Sequence, residues 1–148
     1  MGRAVERFIA YGHPEVLGTH QTTFEITAED HLTAAGNCII AVSAEKGASD
    51  LSSAFREIMM TPGSFLETEL ICDDIRVIIC GSGSTSMTLD HPTDLVWRRS
   101  SFTCGRTIGI CADHTAATLP RNLITHLRKG SVIEVILTAS TGYPPGQS

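Results

Sequence analysis

The sequence predicts an α+β domain that is mostly β and is built from two pseudo-symmetric strand–strand–helix–strand (ββαβ) units. Three observations support this prediction. Apolar runs of strand length recur along the chain, two stretches place apolar residues at helical spacing, and the second half repeats the first at a nearly constant offset. The chain has 148 residues and a hydrophobic fraction of 42%, which is enough for one globular domain with its own core.

The elements of the first half follow from the spacing of its apolar residues. Apolar residues that alternate with polar ones predict strands, and a short continuous apolar run predicts a strand buried on both faces. From Leu51 to Met59 apolar residues recur at i, i+3, i+4, i+7 and i+8, which predicts a helix capped by Ser49 or Asp50 and stopped at Thr61-Pro62-Gly63. The predicted strands are 5–10, 21–27, 38–42 and 65–71.

The second half follows after Asp73-Asp74, which predicts a hairpin or a tight corner. A second helix carries apolar residues from Leu119 to Leu127, tolerates Pro120 in its first turn and ends at Gly130. The predicted strands are 75–80, 87–89, 95–97, 107–112 and 132–137. We expect one domain over residues 1–139, followed by a flexible tail at 140–148 that contains Pro144-Pro145-Gly146.

The two halves align with each other. Residues 44–48 before the first helix correspond to 112–116 before the second at an offset of 68 positions, and the exits from the two helices correspond at an offset of 67. One such unit alone would expose strand edges and an apolar face, so two units together are the smallest arrangement that buries both. The predicted units cover about residues 22–71 and 88–138.

Paired ββαβ units resemble the cradle-loop barrels, a group of pseudo-symmetric six-stranded barrels. Residues 32–39 also resemble the glycine–aspartate turn of that group, with Asn37 in the aspartate position. The resemblance implies a closed cradle-loop-type barrel with two flanking helices. A sandwich of two sheets with flanking helices is the alternative.

A second resemblance is carried by four motifs, Gly12-His13-Pro14, Thr19-His20-x-Thr22-Thr23-x-Glu25-x-Thr27, Leu32-Thr33-x-x-Gly36-x-Cys38-Ile39-Ile40 and Arg106-Thr107-Ile108-x-Ile110-x-Ala112-Asp113. This ordered set covers the chain from about Gly12 to Leu137 and resembles an archaeal family catalogued as domain of unknown function three hundred and seventy-one. Asn37 and His114 stand where the family pattern has aspartate and lysine. The resemblance implies a conserved archaeal-type protein and carries no activity.

Charge and cysteine usage limit the function classes. A net charge of −5 argues against duplex DNA as a partner. The five cysteines are an odd number without a C-x-x-C pair, which indicates reduced thiols and a cytoplasmic protein. No apolar run reaches the length of a membrane helix, so no membrane association is expected. Four cysteines lie in apolar runs and are expected in the core: Cys38, Cys72, Cys80 and Cys111.

Two sets of polar residues are candidates for a site. His13 and His20 flank a short loop, with Thr22 and Glu25 on the following strand, and such a set suits acid–base chemistry. His13 also suits a turn in which its ring caps backbone groups, and no metal or other cofactor is expected. This segment defines the alternative function, a small enzyme with its site near His13–Glu25.

The second set suits an anion. Ser82 and Ser84 lie in a Gly-Ser loop that offers backbone N–H groups, although a flexible connection explains the loop equally well. Alternation along a strand sends Arg98 and Arg99 to opposite faces. Arg106 begins a central strand and either pairs with an acid of the chain, Glu25 first, or opens to a ligand pocket. We therefore expect a small binding module for an anionic ligand, an RNA segment or a partner protein, with a homo-oligomer as a further possibility.

Overall fold

The computed structural model describes residues 2–32 and 36–142, which form eight strands and two α-helices. The fold is α+β and mostly β, as the sequence predicts. A single turn of 3-10 helix precedes each α-helix, at Ala48–Asp50 and Ala116–Thr118. The elements are β1 (Arg3–Tyr11), β2 (Thr23–Thr27), β3 (Ile39–Ala41), α1 (Ser53–Met59), β4 (Ser64–Cys72), β5 (Ile75–Ser82), β6 (Asp94–Arg98), β7 (Thr107–Gly109), α2 (Arg121–Arg128) and β8 (Val132–Thr141).

The strands form two four-stranded sheets. The first has the order β1-β8-β4-β5 and is antiparallel throughout. The second has the order β3-β2-β6-β7, with an antiparallel central pair and parallel outer pairs. Their edges meet in isolated bridges, Tyr11 with Val42 and Ser82 with Ile110, rather than in continuous ladders. The sheets therefore do not close into the expected barrel, and the alternative of two sheets with flanking helices describes the architecture.

The inner faces of the two sheets meet in one apolar core. Phe24 of β2 and Trp97 of β6 stack with ring centroids 4.4 Å apart, and both are fully buried. The Trp97 indole Nε1–H donates to the Thr68 hydroxyl of β4 at 2.8 Å, so a buried hydrogen bond joins the sheets. Phe55 of α1 and Leu123 of α2 also lie in this core, which explains the helical spacing of the apolar residues in the sequence.

The first helix begins later than the sequence predicts. Ser52 is its N-cap, and the Ser52 hydroxyl accepts a hydrogen bond from the Phe55 N–H at 3.1 Å. Asp50 instead accepts a bond from the Gly47 N–H and closes the 3-10 turn. The prediction of Ser49 or Asp50 as the helix cap was wrong because the 3-10 turn is inserted before the helix.

Two predicted strands differ from the structure for a backbone reason. Residues 87–89 form no strand, and Leu89 has a positive φ of 48°. The strand predicted at 107–112 ends at Gly109, and Cys111 has a φ of 52°. Both side chains sit in apolar runs, but a left-handed backbone at a non-glycine residue cannot continue a strand.

The last strand is longer than expected. β8 continues to Thr141, so two residues that the sequence placed in the tail are paired in the sheet. Ser140 pairs with β1 and β4, and Thr141 pairs with β4. The remainder of the predicted tail, residues 143–148, lies outside the described residues. No helix in the described ranges has both the length and the apolar character that crossing a membrane requires.

The cysteines are all free, but their burial differs from the expectation. Cys72 alone of the five is buried, Cys80 and Cys111 are exposed, and Cys38 and Cys104 are half-buried. Cys80 points outward because it occupies the exposed face of β5, and Cys111 follows the end of β7. Apolar neighbours in the sequence do not fix which face of a strand a thiol occupies.

Individual backbone hydrogen bonds recur in the two halves, at an offset of 71 positions for residues up to β2 and β6 and of 68 positions from Asn37 and Gly105 onward. The correspondence includes β1 and β5, which precede the two units that the sequence predicts. The matched bonds are Tyr11 N–Val42 O with Ser82 N–Ile110 O, His20 N–Asn37 O with His91 N–Gly105 O, and Glu25 N–Cys38 O with Val96 N–Arg106 O.

Candidate ligand-binding site

The outer face of the second sheet carries polar side chains that are nearly inaccessible to solvent. Because Phe24 and Ile26 of β2 point into the core, Thr23, Glu25 and Thr27 point to the opposite face. All three are nonetheless buried, and Glu25 is only 4% exposed. A carboxyl group at such a depth needs polar partners.

Glu25 finds these partners in an acidic and a basic residue from the other half of the chain. The Arg106 Nη1 lies 3.4 Å from Glu25 Oε1 and 3.3 Å from Asp94 Oδ2. Asp94 also accepts hydrogen bonds from the hydroxyls of Thr27 at 2.8 Å and Thr93 at 3.0 Å. The Arg106 side chain is 42% exposed, so it holds both carboxyl groups and still reaches solvent.

The two carboxyl groups differ in acidity. Burial and the neighbouring negative charge of Asp94 raise the pKa of Glu25 to about 7, with Arg106 opposing the rise. Burial also acts against ionisation of Asp94, but hydrogen bonds from Thr27, Thr93 and Arg106 lower its pKa below the ordinary value. At neutral pH Asp94 is ionised, and Glu25 is divided between its acid and its carboxylate.

A second guanidinium group lies next to this cluster. Arg98 Nε donates to the Thr107 hydroxyl at 2.9 Å, its Nη2 lies 3.3 Å from the Cys104 Sγ, and the group stacks on Phe102 with 5.0 Å to the ring centroid. Burial would raise the pKa of Cys104, but hydrogen bonds from the Arg106 backbone, Thr107 and Arg98 lower it to about 7. Cys104 is therefore partly a thiolate at neutral pH.

These groups border a concave pocket with a volume of about 570 Å³. The Cys38 Sγ lies 3.8 Å from Glu25 Oε1 at its edge, and burial together with the charge of Glu25 raises the pKa of this thiol. The lining is predominantly polar and includes both guanidinium groups. Its residues are His20, Thr22, Thr23, Glu25, Asn37, Cys38, Val96, Arg98 and Arg106.

A smaller cavity of about 220 Å³ lies on the other side of Glu25. His91 lines it, and its Nε2 is 3.9 Å from Asp94 Oδ2. Because Glu25 belongs to both cavities, it separates a pocket with two arginines from one rich in carboxyl and imidazole groups. The lining residues of the smaller cavity are Glu25, Thr27, Glu29, His31, Ile39, His91, Thr93 and Asp94.

Five of the eight residues that the sequence singled out line the larger pocket: His20, Thr22, Glu25, Arg98 and Arg106. The other three lie elsewhere. His13 Nδ1 accepts a hydrogen bond from the Glu15 N–H in an exposed turn, the capping role that the sequence also allowed. Ser82 bridges to Ile110, and the Ser84 hydroxyl accepts a bond from the Ser86 N–H. His13 is thus not among the residues that line this pocket with His20 and Glu25.

The sequence analysis missed four residues that complete the site: Cys38, Asp94, Cys104 and Thr107. Cys38 could have been found from the sequence, because it corresponds to Arg106 at the offset of 68 positions between the two halves. Asp94 lies opposite Thr27 in the register of β2 and β6, a pairing that only the structure defines. Cys104 and Thr107 come into reach of Arg98 through the turn before β7.

The fold and the site define an α+β domain of two facing sheets with a polar pocket on the outer face of one of them. The family model described as "Domain of unknown function (DUF371)" matches residues 8–140, and the chain belongs to this family. The chain is also similar to the "Uncharacterized protein MJ0206" of Methanocaldococcus jannaschii. The two are 39% identical over 121 residues, which cover 82% of this chain and 89% of that relative. The archaeal family expected from the motifs is the one found.

Proposed function

We propose that this protein is a small binding module whose ligand is a small anion, a phosphate or carboxylate compound, held in the pocket beside Arg98 and Arg106. The observation that carries the proposal is that the side chains of Arg98 and Arg106 line the same concave pocket. Guanidinium groups present planar pairs of N–H donors that match phosphate and carboxylate oxygens. Arg106 is fixed through Nη1 and is 42% exposed, so it is oriented before a ligand arrives.

The remaining lining supports an anion as well. His20 Nδ1 accepts hydrogen bonds from the N–H groups of Thr22 and Thr23, which places the proton of the neutral ring on Nε2 as a donor. The Asn37 side-chain amide adds a further donor. The raised pKa of Glu25 reduces the negative charge in the pocket near neutral pH. A small ligand agrees better than RNA with a net charge of −5, because RNA backbones are bound through basic surfaces.

Isothermal titration calorimetry with inorganic phosphate and with citrate tests this proposal. We expect saturable binding of one anion per chain by at least one of the two probes. The variants Arg98→Gln and Arg106→Gln should each weaken it about tenfold or more, since charge-assisted hydrogen bonds contribute roughly 1.5–3 kcal/mol. Circular dichroism should show that both variants remain folded.

Arg99→Gln is the matched control, because Arg99 is exposed and follows Arg98 directly on the chain. This variant should bind as the wild type does. If neither anion binds, or if the loss is the same in Arg99→Gln as in Arg98→Gln, the pocket is not an anion site.

A small enzyme is the second candidate, and the acidity of Glu25 favours it. A carboxyl group with a pKa of about 7 beside an ionised Asp94 can donate and accept a proton at neutral pH. The acid–base pair would then be Glu25 and Asp94, without His13. Screening chromogenic phosphate and carboxylate esters should detect a turnover that Glu25→Gln abolishes while anion binding persists. A turnover equal in both proteins would remove Glu25 from the chemistry.

We also infer that the two halves arose by duplication of one unit. The matched hydrogen bonds support this, and they extend the unit to β1 and β5. An experimental structure in which residues 38–71 and 106–138 follow different strand orders would contradict it.

Five free cysteines support a reducing compartment, the cytoplasm.

A further inference from the structure

The hairpin between β4 and β5 meets helix α2 at a cluster of three potential metal ligands. Cys72 ends β4, Asp73 follows it in the turn with a φ of 55°, and His126 faces them from α2. His126 Nδ1 lies 2.6 Å from Asp73 Oδ2, and the ligand atoms of all three residues lie within 4.8 Å of one another. We propose that Cys72, Asp73 and His126 bind one divalent cation of the zinc type.

The donor set selects the kind of cation. A thiolate, an imidazole and a carboxylate together suit Zn²⁺, whereas Mg²⁺ and Ca²⁺ prefer oxygen ligands alone. Zinc–ligand distances of about 2.0–2.3 Å place neighbouring tetrahedral ligands roughly 3.3–3.8 Å apart. The ligand atoms lie within 4.8 Å of one another, so a bound cation would require them to approach by about 1 Å, through rotation of the Asp73 and His126 side chains. Three protein ligands leave a fourth position for water.

The burial of the three residues is graded toward solvent. Cys72 is fully buried, the His126 side chain is 33% exposed and the Asp73 side chain is 55% exposed. The thiol therefore forms the floor of the site, and the carboxyl group stands at its mouth, where a cation enters. A metal here would fasten the β4–β5 hairpin to the last turn of α2.

The fold itself does not require a histidine on this helix. The position that corresponds to His126 in α1, 68 residues earlier, is Ile58, which packs against the core. The sequence analysis did not identify these three residues as a cluster, because His126 lies 53 residues from Asp73 along the chain. The cluster shares no residue with the pocket beside Arg98 and Arg106, so it does not depend on the proposed anion site.

Titration of the metal-free protein with Co²⁺ tests this site. Cobalt replaces zinc in such sites, and a thiolate ligand adds a sulfur-to-cobalt charge-transfer band in the near ultraviolet. We expect one Co²⁺ per chain, a charge-transfer band, and its displacement by one equivalent of Zn²⁺. Zn²⁺ should also raise the melting temperature, because a ligand that binds only the folded state stabilises it.

Cys72→Ser should abolish the charge-transfer band. His126→Gln, a change at a partly exposed helix position that leaves the core intact, should weaken Co²⁺ binding by more than the roughly 10–100-fold that loss of a supporting partner costs. Cys80→Ser and Cys111→Ser are controls for the exposed thiols and should keep the band. No band, a band that survives in Cys72→Ser, or unchanged affinity in His126→Gln would each overturn the proposal.

Discussion

Glu25 shows how one buried side chain can make both binding and stability depend on pH. It is 4% exposed, and its pKa rises from the ordinary 4.5 to about 7. A carboxyl group whose pKa is raised on folding stabilises the folded state fully below its unfolded pKa. That contribution is lost as the pH rises through the folded pKa. The window for this group is therefore about pH 4.5 to 7.

Replacing Glu25 by glutamine should remove this dependence. Across that window the wild type should lose up to about 3 kcal/mol that the variant retains, since one pKa unit corresponds to about 1.36 kcal/mol. Urea unfolding at pH 4.5 and pH 8 measures the difference. Glu15→Gln, at an exposed position, is the control and should follow the wild type. A variant that runs parallel to the wild type would show that Glu25 is ionised throughout.

Cys104 should be the most reactive thiol of the protein at neutral pH. With a pKa of about 7, about half of it is thiolate at pH 7, against about 1% for a thiol at the ordinary 9.0. Allowing for the weaker nucleophilicity of an acidic thiol, iodoacetamide should label it roughly tenfold faster than Cys80, whose pKa burial raises. Peptide mapping by mass spectrometry gives the order of labelling.

Arg98 is the residue through which the reactivity of the Cys104 thiol can be tested. Arg98→Gln should slow the labelling of Cys104 at pH 7, because the guanidinium group lowers its pKa, whereas Arg99→Gln should not. At pH 10, where Cys104 is almost fully thiolate in all three proteins, Arg98→Gln should no longer be the slower protein. Faster labelling of Cys80 than of Cys104 in the wild type would contradict the assigned environment.

At the scale of secondary structure elements, apolar spacing predicted the long strands and both helices, and it failed where the backbone turns sharply. Leu89 and Cys111 are apolar in character, yet both adopt left-handed conformations that end or prevent a strand. Such a conformation at a non-glycine residue depends on surrounding tertiary contacts, which spacing does not encode.

The candidate site was also predictable only in part. The sequence identified Arg98 and Arg106 as candidate site residues because they are charged. It did not identify Asp94 as the partner of Arg106, because that pairing depends on strand register.

The hydrogen bond between Trp97 and Thr68 is the contact to test between the two sheets. Thr68→Val keeps the volume of the side chain but leaves the buried indole N–H without its acceptor, which should cost about 1–3 kcal/mol. Thr68→Ser keeps the hydroxyl and should be the milder change. Urea unfolding followed by the fluorescence of Trp97, the single tryptophan, measures both. Equal stability of the two variants would mean that the bond contributes nothing.

At the scale of the whole molecule, the two halves are interleaved. In the first sheet the order β1-β8-β4-β5 alternates strands from the two halves, so β1 and β4 are neighbours of β8 rather than of each other. If the two halves are copies of one unit, as we propose, the two copies share this sheet. The offsets in the sequence do not show this alternation of strands, which depends on the pairing of β8 with β1 and β4.

A fragment of residues 2–73 should consequently fail to fold alone. It retains β1 and β4 but lacks β8, which pairs with both, and its share of the core would face water. Circular dichroism should show no cooperative melting for the fragment. The full chain should unfold in one transition with equal calorimetric and van't Hoff enthalpies. A fragment that melts cooperatively would show that one half is an autonomous unit.

The pairing of β1 with β8 has a consequence for biosynthesis. Arg3 faces Ser140 across the ladder, so β1 leaves the ribosome well before β8, the strand with which it pairs. At about 5–20 residues per second, the roughly 120 residues between them take about 6–24 s to be made. During that time β1 has no β8 of its own chain to pair with. The β8 strand of another chain can pair with it instead. When chains are synthesised close together, we therefore expect misassembly by exchange of β1 between two chains, which gives a strand-swapped dimer.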